Sequence, residues 1–94
     1  MDDIEEVYFI IRLCPRMTYL KINLIDNVDY EMFLKNLLMK INNDCSQYLR
    51  SLCLYIPTAN NDMINKLQDM INREKLLHYF TIKLEFDNIY LQWK

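Results

Sequence analysis

Not one glycine occurs among the 94 residues. Phosphate-cradling loops, dinucleotide fingerprints and nucleophile elbows need glycine where the backbone hugs a ligand or turns at positive φ, so their usual forms are excluded. No stretch of about 18 uncharged apolar residues appears, and no segment reads as a membrane span. Basic clusters are missing too: 11 Lys and Arg face 13 Asp and Glu, a formal charge of −2. Nucleic acid is therefore an unsuitable partner, because phosphate backbones are held by concentrated positive charge. The opening Met1-Asp2-Asp3-Ile4-Glu5-Glu6 is acidic where a secretory leader is basic and then apolar, which predicts a cytoplasmic protein, with the nucleus also compatible. Cys14, Cys45 and Cys53 contain no C-x-x-C spacing, and an odd count argues against a disulfide framework. Neither a metal nor a cofactor is expected.

What is present suits a packed core: 52% of the residues are hydrophobic and 13% aromatic. The length predicts one domain over residues 1–94. A chain this short buries roughly two-thirds of its unfolded surface, which leaves a thin stability margin.

An internal repeat organises the chain. Met17-x-x-Leu20-x-Ile22-x-Leu24 recurs as Leu49-x-x-Leu52-x-Leu54-x-Ile56 and as Leu77-x-x-Phe80-x-Ile82-x-Leu84, at offsets of 32 and 28 residues. Each copy alternates apolar and other residues, the mark of a strand buried on one face. Between them lie helical patterns. Tyr30, Phe33, Leu34, Leu37, Leu38 and Ile41 form one stripe over residues 29–42, and Met63, Ile64, Leu67, Met70 and Ile71 form another over 62–75. Asn27 or Asp29 is placed to cap the first of these helices and Asn42-Asn43-Asp44 to stop it. Glu31–Lys35, Asp62–Lys66 and Asp69–Arg73 are spaced for ion pairs along the exposed faces. A further amphipathic helix, with Ile4, Val7, Tyr8 and Ile11 on one face, precedes the break at Cys14-Pro15. Asp87-Asn88 separates Phe86 from Ile89-Tyr90-Leu91-Gln92-Trp93, predicting a hairpin and a final reversed strand.

Strands joined by helical crossovers run parallel. The expected fold is therefore α/β: a short leucine-rich-repeat-like solenoid of three parallel strands in sequential order, alternating with helices. A C-terminal antiparallel strand would close its last edge, with Trp93 as a cap. The outer edge of the first strand is left to the first helix, to an upstream repeat or to pairing between copies.

The segment Ile10-Ile11-Arg12-Leu13-Cys14-Pro15-Arg16-Met17-Thr18-Tyr19-Leu20-Lys21-Ile22 resembles the helix-to-strand junction of leucine-rich repeats in F-box proteins. There a Leu-Cys-Pro step leads into a Leu-x-x-Leu-x-Leu strand. The whole chain resembles the last repeats and C-terminal cap of such a protein. The resemblance implies a piece of a longer solenoid that holds the substrate of a ubiquitin ligase. No F-box-like segment is present, and Ile25, Pro57 and Glu85 stand where the repeat asparagine would be.

A catalytic role is not expected. Cys53 and His78 occupy repeat positions three residues apart along a strand, about 10 Å, beyond hydrogen-bond reach. Cys14 reads as a buried or semi-buried small hydrophobe. Asp26 and Asp29 sit near a helix start, where acidic side chains favour the dipole. The candidate binding residues are those facing away from the helices: Lys21, Cys53 and Thr81 as one row across the strands, Asn23, Tyr55 and Lys83 as the next. Tyr55 is the expected anchor, since tyrosine joins apolar area to a polar tip. The expected function is protein binding, and the alternative is a structural cap with no partner of its own.

Overall fold

The computed structural model describes residues 4–24, 29–43 and 48–94. Asp2, Asp3, Ile25, Asp26, Asn27, Asp44 and Cys45, and the side chain of Ile4, lie outside the described residues. Seven elements follow one another: α1 (Ile4–Leu13), β1 (Tyr19–Asn23), α2 (Tyr30–Asn43), β2 (Ser51–Tyr55), α3 (Asn61–Arg73), β3 (Phe80–Glu85) and β4 (Asn88–Trp93). Asp29 caps α2, its carboxylate accepting the Met32 N–H at 3.2 Å. Asn60 does the same for α3 through Met63 at 3.0 Å.

The sheet corrects the expected solenoid. Its strand order is β1-β2-β4-β3, with β1 and β2 parallel and both pairings of β4 antiparallel. The chain thus makes one parallel crossover through α2, then a second through α3 that skips a position. β4 returns into the gap. The reason lies in the sequences of the last two strands. Ile89, Leu91 and Trp93 of β4 are all buried, whereas Phe80, Ile82 and Leu84 of β3 are only half-buried. A central strand packs over its whole length on the helices below, so the more apolar strand takes that place. β3, with Thr81, Lys83 and Glu85 outward, has the charge that an edge tolerates. Trp93 is accordingly no edge cap. It sits opposite Phe80 and donates its backbone N–H to the Arg50 carbonyl at 2.9 Å, bonded on both sides at the end of the sheet.

All three helices lie on one side of the sheet. Leu20, Ile22, Leu52, Leu54, Ile89 and Leu91 face them and join Leu34, Leu37, Leu38, Leu67, Met70 and Ile71 in one core. Side chains alternate across a strand, so burying this set turns the intervening residues to the other face. α1 packs on α2 rather than along the β1 edge: the Tyr8 hydroxyl donates to the Asn36 carbonyl at 3.2 Å and Lys40 lies over the Tyr8 ring. The expected helical ion pairs give way to others. Lys35 reaches Glu74 at 3.3 Å instead of Glu31, and Arg73 lies 3.9 Å from the same Glu74. Tertiary approach at the end of α3 brings a carboxylate nearer to Lys35 than its own turn does.

Candidate functional site

The face of the sheet opposite the helices is built from three rows, each crossing all four strands. The first is Tyr19, Ser51, Gln92 and Thr81; the second Lys21, Cys53, Tyr90 and Lys83; the third Asn23, Tyr55, Asn88 and Glu85. All six residues singled out from the sequence are on this face, but not in the expected rows. Lys21 and Cys53 are level, and so are Asn23 and Tyr55. Thr81 and Lys83 each sit one pleat away from their expected rows, and β4 separates them from β2. The repeat alignment had set Phe80 level with Leu52, whereas the hairpin register sets Ile82 there, across Leu91. A two-residue slip keeps every side chain on its face, which is why the set survives while its grouping does not.

Cys53 departs most from expectation. Its thiol points to the open face, yet the residue is 1% exposed. It donates toward the Asn88 side-chain oxygen at 3.6 Å and interacts with the phenols of Tyr19 and Tyr90. A partner resting on this face would meet the tyrosines above it, not the sulfur. Cys14, by contrast, is exposed, in the turn after α1. Cys53 lies in β2 and His78 precedes β3, and β4 stands between those two strands.

Tyr19, Tyr90 and Tyr55 form the body of the surface. Tyr55 lies opposite Asn88, so Tyr90 is its diagonal neighbour two residues on, about 7–8 Å away between backbones. Tyr19 is 48% exposed at the β1 edge. Both Tyr19 and Tyr90 have phenol pKa values raised above the ordinary 10.0, first by desolvation and then by Cys53. They are neutral hydrogen-bonding groups at physiological pH. The Lys83 Nζ lies 5.9 Å from the centre of the Tyr90 ring, a cation–π distance.

Tyr19, Tyr90, Asn88 and Gln92 were missed in the sequence. The alternation Ile89-Tyr90-Leu91-Gln92-Trp93 assigns their direction, but only the interior position of β4 brings them to the centre of the face. The arrangement offers aromatic area, amide and hydroxyl groups and two lysines. Among the described residues no group of three His, Cys, Asp and Glu side chains gathers as a metal would require, and no helix is long and apolar enough to cross a membrane. No protein-family model, curated protein or solved structure matches the chain.

Proposed function

We propose that the chain is a cytoplasmic protein-interaction module that binds its partner on the open face of the sheet. The observation that carries this reading is the cluster of Tyr19, Tyr55 and Tyr90 on a face that no helix of the described residues covers, flanked by Lys21 and Lys83. Tyrosine is enriched where interfaces concentrate their energy, because it combines large apolar area, a polar tip and few rotatable bonds. The F-box resemblance rested on the Leu-Cys-Pro step and the Leu-x-x-Leu-x-Leu segments; the parallel stack it implied is replaced here by a mixed sheet.

Tyr55→Ala is expected to weaken partner binding by roughly 2 kcal/mol, about 30-fold, while changing the melting temperature little. Affinity capture from cytosol, comparing wild type with Tyr55→Ala and with a Tyr55→Ala, Lys83→Glu double variant, checks it. Equal recovery by all three, with each protein folded, would count against the sheet face.

A purely structural role is the second reading, favoured by the β1 edge. The backbone groups of Leu24 and Thr18 bond to β2, so by alternation those of Tyr19, Lys21 and Asn23 point outward along the edge. Another strand could continue the sheet there. A Lys21→Pro variant that loses solubility or assembly but keeps its partner would favour that reading.

A further inference from the structure

The β3–β4 hairpin carries an aromatic side chain that does nothing for its own domain. Glu85 pairs with Asn88, leaving Phe86 and Asp87 as a two-residue turn. Phe86 takes φ of +56°, the left-handed region, and is 88% exposed. A bulky residue there costs on the order of 1 kcal/mol, and glycine or asparagine would remove most of that cost. Its ring is absent from the core and from the hydrophobic residues packed against it. The turn is nonetheless firmly held, because the Asp87 carbonyl accepts the Ile56 N–H at 2.9 Å. The ring is thus presented from a held turn, with the acidic residues Glu85 and Asp87 next to it in the chain.

The opposite end of the same hairpin has the complementary features. A cavity of about 660 Å³ opens there, walled by Tyr79, Phe80 and Trp93 and bordered by Arg50, His78 and Lys94. Its other lining residues are neutral, and no carboxylate side chain faces it. The size is ample for one aromatic ring, being within the range of sites that hold a drug-sized ligand. The six-residue strands put roughly 20 Å between tip and cavity, so one molecule cannot satisfy itself.

We propose that the hairpin tip of one copy inserts Phe86 into this cavity of a second copy, with Glu85 and Asp87 set against its basic border. The contact is heterologous: it joins a tip to a cavity and leaves one of each free, so copies assemble head to tail. The buried area is small, and association belongs at protein concentrations on the order of 0.1 mM, weakening as salt screens the charges. Insertion into an anionic membrane is the less suitable fate, since two acidic residues flank Phe86 in the chain.

Sedimentation equilibrium over rising concentration at low salt tests the assignment. Wild type should show a mass that climbs with concentration. Phe86→Gly, which removes the ring and relaxes the backbone, should stay monomeric and melt no lower than wild type. His78→Glu, Lys94→Glu should also stay monomeric; Gln92→Trp, which fills the cavity from the open face, replaces it if that double variant does not melt cooperatively. Mixing Phe86→Gly with the cavity variant should restore one contact only, giving a 1:1 complex that grows no further. Tyr55→Ala should associate as wild type does, which separates this contact from partner binding on the sheet face. Monomeric wild type at 1 mM on the same order-of-magnitude scale, association of Phe86→Gly at wild-type strength, or a mixture that remains monomeric would each overturn the proposal. Binding of wild type to anionic vesicles through Phe86, without self-association, would overturn it as well.

Discussion

Tyr19, Tyr90 and Cys53 show how single side chains acquire their properties from position rather than type. The two phenols ionise above the ordinary tyrosine value because they are partly desolvated and meet the Cys53 sulfur. An acid whose pKa is higher in the folded state holds its proton there after the unfolded chain has lost it. The folded state is therefore favoured in full below pH 10 and loses that contribution as pH rises through the raised values. Stability should fall more steeply above pH 10 in wild type than in a Tyr19→Phe, Tyr90→Phe double variant. Urea unfolding at successive alkaline pH values, with tyrosinate absorbance followed in parallel, measures this; coincident slopes would reject it. Cys53 illustrates the limit of reading residues singly. Alternation assigned its direction correctly, but its neighbours on β1 and β4 decide whether sulfur reaches the surface, and their identity depends on which strands are adjacent. Cys14 erred the other way. It is apolar enough for a core, but the turn with Pro15 carries it outside.

At the scale of elements, the chain has to end helices and close hairpins without glycine. After α3 the backbone turns at Lys75, φ +54°, with the Lys75 N–H bonded to the Asn72 carbonyl and the Leu76 N–H to that of Ile71. This is the arrangement a C-terminal glycine usually provides. Lys75→Gly should stabilise the domain by about 0.5 kcal/mol, the relief of left-handed strain being partly offset by a freer unfolded chain. A rise of roughly 2–4 °C in a thermal melt would follow, and a fall would mean that the lysine side chain contributes something unseen. Periodicity made the helices and strands legible, because 3.6- and 2-residue spacings follow directly from local geometry. It also made the inward and outward faces legible, and with them the six residues of the open face. Strand adjacency was not legible. A tight hairpin fixes that β4 lies beside β3 but not on which side, and that choice is made by comparing how much apolar surface each strand buries. The ion partner of Lys35 was hidden for a similar reason, since Glu74 reaches it only after α2 and α3 pack together.

For the molecule as a whole, the interior position of β4 makes its inward residues the most consequential in the sheet. Leu91 is fully buried, opposite Leu52 on one side and Ile82 on the other. Leu91→Ala should cost about 3 kcal/mol, lowering the melting temperature by roughly 12–24 °C, a large share of the stability a domain of this size has. Leu84→Ala, at the half-buried edge, should cost less than half as much. The reverse ranking in paired thermal melts would place β3 inside and β4 outside. The same placement bears on how the protein comes into being. β4 follows the other six elements of the described residues, yet it is the strand that joins β3 to the parallel pair. As the polypeptide emerges, six elements appear before the one that unites them, and β2 and β3 wait with open edges for an interval on the order of seconds. Until β4 arrives there is no continuous sheet, so the sheet is completed in one late step, when its most buried strand has been made.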